Sequence, residues 1–211
     1  MEKKIEKICF KKPKGLKLIN PNDNLVEVYT RKSSSALNML NAAKEKQENE
    51  WILDTSYYAK YFIVYALFMK AGIKSEIHDC TIFALKSLFA DENLIRKEIC
   101  DELEKSKELR VGALYYQENP LVYHTLKGVV CFWFSGWSKI ENIQNNTTFF
   151  RMWFSIYGHN KELGKEEILR RANVAANFCL EVEQAIEKLS QEDIEKVRKK
   201  LQNLEKASFS S

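Results

Sequence analysis

Thr55-Ser56-Tyr57-Tyr58-Ala59-Lys60-Tyr61-Phe62-Ile63-Val64-Tyr65-Ala66-Leu67-Phe68-Met69-Lys70-Ala71-Gly72, followed by Ile73-Lys74-Ser75-Glu76-Ile77-His78-Asp79-Cys80, decides how the chain is read. Tyr58, Phe62, Tyr65 and Met69 fall at helical steps, and Tyr57, Tyr61, Val64 and Phe68 repeat the rhythm one residue earlier. Apolar surface therefore wraps most of this helix, which must be buried on more than one side. Gly72 stands where a left-handed residue ends a helix, and Lys70 places a cation near the negative end of the dipole. A further helix is expected to start at about Lys74. Tyr57, Tyr58, Phe62 and Tyr65 read as packing groups.

Helical patterning continues on both sides. Asn20-Pro21-Asn22-Asp23 supplies a turn and an N-cap for a first helix reaching about Gln47, with Leu25, Val26, Tyr29, Ala36, Leu37, Leu40 and Ala43 as its stripe. The second helix is expected from about Glu50 to Ala71, the third from about Lys74 to Phe89, and a charged fourth from Asp91 to about Tyr116. Gly164 to Leu189 carries a closing amphipathic stripe, and Ser190 to Asp193 caps a last helix whose Lys196, Arg198, Lys199 and Lys200 read as a solvated face.

The chain has 211 residues, enough for one good core, with 7 glycines, 3 prolines, 29% charged and 45% hydrophobic residues. That composition argues for an all-α fold and against all-β or disordered ones. Lysines gather in an N-terminal leader, residues 1–21, which reads as a solvated tail, with a phosphate-contacting arm as the alternative, although net charge is only +4. Cys9, Cys80, Cys100, Cys131 and Cys179 are odd in number and widely spaced, so a disulfide framework or a metal site is not expected, and the thiols read as reduced and buried. No secretory signal fits the start, and the longest apolar run, Val129 to Phe134, is too short to span a bilayer. Cytoplasmic location without membrane contact or cofactor is the expectation.

One segment differs in character. Residues 121–161 hold 10 aromatics in 41 positions, against 15 in the remaining 170. Val129 to Phe134 and Thr147 to Tyr157 have strand propensity, so a hairpin competes with helix here. The aromatics read as packing surface, with a base-stacking platform as the sharper alternative.

The Tyr57-Tyr58-Ala59 step, the helix ending in Lys70-Ala71-Gly72-Ile73, and His78 soon after resemble the HEPN domains, in particular a Tyr-Tyr-Ala branch of small prokaryotic members. The resemblance covers about residues 22–116 and 164–204. It implies an up-and-down helical bundle over 22–206, interrupted by the aromatic insert, with a tail from 207 to 211. It also implies a homodimer and, as partner, a minimal nucleotidyltransferase in a toxin–antitoxin module. HEPN ribonucleases carry an Arg, four to six residues, then a His, so that a guanidinium holds the scissile phosphate while an imidazole moves protons. Here Arg110 is followed after a four-residue gap by Tyr115, with Tyr116 next. A phenol with a pKa near 10 is a poor base at neutral pH. His124 and His159 fall inside the insert and miss the family spacing.

Arg110 is thus the candidate phosphate ligand, Asp54 a group able to orient it, His78 a supporting residue of the branch, and Tyr115 or Tyr116 a candidate acceptor of AMP from the partner. Three functions compete on these residues: a nucleotide- or RNA-phosphate-binding module, a metal-independent ribonuclease toxin with a rearranged base, and a non-catalytic helical adaptor.

Overall fold

A computed structural model describes the backbone of residues 8–116 and 165–210, and the side chains of 8–111 and 166–209. The chain divides into two units, residues 1–110 with 165–211, and residues 111–164. The first unit is helical, as its composition requires. Its elements are α1 (Asp23–Lys46), α2 (Asn49–Ala71), α3 (His78–Ala84), α4 (starting at Lys97 and ending at Tyr116), α5 (Lys165–Lys188) and α6 (Gln191–Ser210). Two short strands, β1 (Lys17–Leu18) and β2 (Ile73–Lys74), form one antiparallel pair. Residues 129–157, for which hairpin and helix were both open, lie outside the described residues together with His124 and His159.

The centre is α2. Of its 23 residues, 15 are buried, and solvent reaches only a narrow stripe through Trp51, Asp54, Tyr58, Tyr61 and Phe62. α1, α5 and α6 all pack on it. Leu40 and Ala43 of α1, Ala175, Phe178, Cys179 and Val182 of α5, and Val197 and Leu201 of α6 are the buried residues these helices bring. Asn22 caps α1 by accepting from the Leu25 N–H at 3.0 Å, and Ser190 and Asp193 form a reciprocal box at the start of α6.

Gly72 ends α2 in the left-handed conformation, φ 70°, and its surroundings explain why only glycine fits. A Cβ there would stand 2.1 Å from Arg198 Nη1 and 2.6 Å from the Ile19 carbonyl oxygen. Arg198 does not lie on a solvated face: Nη1 donates to the carbonyls of Ile19 at 2.8 Å and of Ala71 and Gly72 at 3.1 Å. It serves carbonyls that the end of a helix leaves unpaired. Lys196 stays on the solvated face, with 59% of its side chain exposed, while it and the half-buried Lys200 both pair with Glu92. α6 continues through the expected tail, where Ser208 is buried.

The leader is likewise part of the core from Cys9 onward. Cys9, Phe10 and Leu16 are buried among the lysines, the Leu16 N–H donates to Cys9 O at 2.7 Å, and β1 pairs Lys17 with Lys74 and Leu18 with Ile73. Residues 73–74 are therefore extended, not the start of the third helix, because leaving the left-handed Gly72 in this direction buries Ile73 completely. Helix α3 starts at His78 instead. Contrary to the reduced state expected of all five thiols, Cys9 and Cys80 form a disulfide, with their Cα atoms 5.4 Å apart. Their separation of 71 residues gave no spacing pattern by which to pair them.

α3 passes into a π-helical turn, Leu85–Ala90, which turns Leu85, Leu88, Phe89 and Ala90 inward together. Phe89 stacks on Phe68 of α2, ring centroids 5.6 Å apart. Asn93 then takes φ 58°, so α4 starts at Lys97 and not at Asp91.

Lys60 is the exception in this apolar centre: its side chain is fully buried. Nζ donates to Glu102 Oε1 at 2.7 Å and to Ser106 Oγ at 2.8 Å, both on α4. Arg171 of α5 binds the other oxygen of Glu102 and reaches Glu167 at 2.9 Å through Nε. Burial lowers the Lys60 pKa against the pull of Glu102; burial alone would raise Glu102, but Lys60 and Arg171 more than reverse it and hold the carboxyl below its usual range. Among the described residues no buried side-chain nitrogen or oxygen lacks a partner.

Lys60→Met should lower unfolding free energy by about 3 kcal/mol, because it leaves Glu102 and Ser106 with a broken network in the core; urea denaturation measures it. Reduction of the protein, or Cys80→Ala, should lower stability by about 2–4 kcal/mol by releasing the loop between residues 9 and 80, seen as a drop in Tm with and without reductant.

Candidate functional site

α2 and α4 run antiparallel, and the polar groups of their seam pair in that order. Asp54 lies opposite Arg110, while Lys60 lies opposite Glu102 and Ser106. Residues 102, 106 and 110 are spaced by four, so they share one face of α4. The Lys60 end of this seam is closed by Arg171 from α5, and the Arg110 end is lined by tyrosines.

At that end Arg110 Nε donates to Asp54 Oδ1 at 2.5 Å, and Nη2 donates to Tyr58 Oη at 2.9 Å. The guanidinium carbon lies 4.7 Å from the Tyr58 ring centroid and 5.3 Å from that of Tyr57. The plane of the cation is thus fixed by one carboxylate, one phenol and two aromatic faces. The side chains of Arg110 and Asp54 keep 16% and 14% of their surface exposed, so the pair is shielded yet reachable.

His78 sits at the first residue of α3, against the other side of the same tyrosines. Its ring centroid is 4.5 Å from that of Tyr61 and 5.6 Å from that of Tyr57, and Nδ1 is hydrogen-bonded to Tyr57 Oη. Burial raises the Tyr57 pKa far above the usual phenol range, so the phenol keeps its proton and donates it to Nδ1. The imidazole proton is then on Nε2. Burial, followed by the charges of Arg110 and Lys107, lowers the His78 pKa, so the ring is neutral at pH 7. Lys107, one turn before Arg110, pairs with Asp79 beside the histidine.

The structure thus brings Asp54, Arg110 and His78 to one place. Tyr115 and Tyr116 end α4, and their side chains lie outside the described ones. Tyr57 and Tyr58, read from the sequence as packing groups, are polar partners as well: one orients His78, the other Arg110. Two phenols side by side on a largely buried helix were the available signal, because buried phenols need hydrogen-bond partners. Lys60 was missed for a similar reason, a lysine being read by habit as exposed.

No model of a known protein family matches the chain, and no curated protein matches it either. Among the described residues, no helix is long and apolar enough to cross a membrane, and no group of three or more His, Cys, Asp and Glu side chains could hold a metal ion.

Because the folded chain binds the His78 proton less readily than the unfolded chain, whose value is 6.5, the unfolded state takes up more protons as pH falls. Stability from this group is full above that value and is lost as pH drops below it toward the folded pKa. His78→Gln should flatten this part of the acid loss, as measured by urea midpoints at pH about 7.5 and about 5.5.

Proposed function

We propose that the protein is an HEPN-type helical module that holds a nucleotide or RNA phosphate through Arg110. The observation that supports it most is the posture of Arg110: a guanidinium held in a fixed plane by Asp54 and Tyr58 at a partly open site. A solvated arginine loses rotamer freedom when it binds an anion, whereas one already ordered loses little. Tyr58, whose oxygen accepts from Arg110, still has its own O–H to donate to a phosphate oxygen.

On this reading the protein acts as a homodimer in the cytoplasm, with a minimal nucleotidyltransferase as partner in a toxin–antitoxin-like module, and Tyr115 or Tyr116 as the residue that partner modifies. The resemblance of the Tyr57-Tyr58-Ala59 helix carries these parts. The Cys9–Cys80 bond then has to persist in a compartment that usually keeps thiols reduced.

One observation favours the ribonuclease reading as a second. After the four-residue gap that follows Arg110 stands a tyrosine, Tyr115, but the neutral imidazole of His78 shares Tyr57 with the Arg110 guanidinium. An acid–base group of suitable chemistry is therefore near the arginine from a different helix.

Arg110→Ala should weaken binding of AMP and of a short RNA at least tenfold by removing a charge-assisted phosphate contact, as read by calorimetric titration. Unchanged binding would leave the adaptor reading. The same proteins, with His78→Ala added, decide the second reading in an RNA-cleavage assay: cleavage by wild type alone supports it, and equal background from all three ends it.

A further inference from the structure

α1 and α2 enclose an open cleft of about 340 Å³ beside the Arg110 site, lined by Lys32, Ser35, Met39, Thr55, Tyr58 and Phe62. That volume lies in the lower part of the range of roughly 300–1,000 Å³ typical of small-molecule sites. Tyr58 is common to both places: its hydroxyl accepts from Arg110, and its ring forms part of the cleft wall. Tyr58 and Phe62 stack one helical turn apart, ring centroids 5.5 Å apart and planes 24° from parallel. At the opposite rim the Lys32 ammonium stands 4.9 Å from the Tyr29 ring centroid and 5.7 Å from that of Phe62. The lining is therefore an aromatic pair, a flexible thioether, two hydroxyls and a cation, with a second cation at the Tyr58 end.

We infer that this cleft is the subsite for the base of a purine nucleotide whose phosphate is held at Arg110. The inference rests on the phosphate site proposed above and assigns the rest of the ligand. A flat apolar ring with polar edges suits the lining: Phe62 and Tyr58 offer aromatic contact, Met39 adapts to its shape, and Ser35 and Thr55 meet the edge with hydroxyls. Thr55 donates to the Trp51 carbonyl at 2.5 Å, so its oxygen faces a ligand as an acceptor. Charge fits as well, since Lys32 and Arg110 flank the cleft and, among the described residues, Asp54 is paired with Arg110 while Lys32 lies over the Tyr29 and Phe62 rings. A phosphate chain extending from the base can be met from either side. A purely apolar ligand would leave both cations without use, and a phosphate alone would leave the aromatic wall without use.

The source of the nucleotide, free or within an RNA strand, shares this chemistry and is separated by experiment. Titrations of the full chain compare AMP, ribose 5-phosphate and a short oligoadenylate. AMP should bind wild type about tenfold tighter than ribose 5-phosphate, the scale of one base–aromatic contact. Phe62→Leu, which keeps volume without a ring, and Lys32→Gln should bring that ratio toward one, with Tm and far-UV circular dichroism confirming the fold. Oligoadenylate binding tighter than AMP points to a strand, and the reverse to a free nucleotide; either supports the subsite. Equal binding of AMP and ribose 5-phosphate, both lost in Arg110→Ala, overturns the base subsite and leaves the phosphate reading standing. A ratio insensitive to Phe62→Leu and Lys32→Gln also overturns it. No binding of any of the three ligands removes the phosphate reading and this inference together.

Discussion

The polar partners gathered around α2 follow from one constraint: 15 of its 23 residues are buried, and only a narrow stripe through Trp51, Asp54, Tyr58, Tyr61 and Phe62 reaches water. A helix buried on most of its surface gains much of its stability from that burial, roughly 25 cal/mol for each Å² of apolar surface removed from solvent. Any polar atom carried by such a helix must then be satisfied by its neighbours, at a cost of about 1–3 kcal/mol if it is not. Ser56, Tyr57, Tyr58 and Lys60 are four such residues within one and a half turns, and each has a partner from another element or from α5's backbone. Surrounding helices are therefore selected for what they bring to α2, and α4 brings most of it.

The two ends of the α2–α4 seam answer this demand differently. At the Lys60 end the network closes: Lys60 and Arg171 face Glu102, Arg171 and the more exposed Arg170 face Glu167, and Ser106 fills the remaining place. Such a group fixes the register of three helices more than it adds stability, since a buried ion pair loses most of its Coulomb gain to desolvation. At the Arg110 end the partners are one carboxylate and phenols, and the cation stays partly accessible. The first end is built to hold helices, and the second leaves a charge within reach of a ligand.

The sequence made the helices legible because periodicity, caps and the left-handed glycine are local signals. Gly72, the Asn22 cap and the Ser190 box are all found where those signals lie. What escaped was long-range. Arg198 has no local mark that distinguishes it from Lys199, yet it reaches across to the end of α2, and Cys9 meets Cys80 only because β1 and β2 bring the leader alongside α3. Even so, Asp54 and Arg110 were legible as a pair only through the HEPN resemblance, whereas the phenols completing their site could be found from burial: hydroxyls on a mostly buried helix need partners somewhere.

The balance of charge at Arg110 also limits what the site can do. Asp54 holds the Nε edge, so an incoming phosphate approaches a guanidinium already partly neutralised and must be received at the terminal nitrogens, where Tyr58 stands. A lone phosphate would bring two charges into the neighbourhood of a carboxylate and gain little from Arg110 alone. Affinity then has to come from a second part of the ligand, and the aromatic cleft that shares Tyr58 is the surface next to it. On the proposed reading Asp54 would be more than an orienting group: its charge opposes a free inorganic phosphate at the arginine, and a ligand that offers a base as well as an anion would bind in preference.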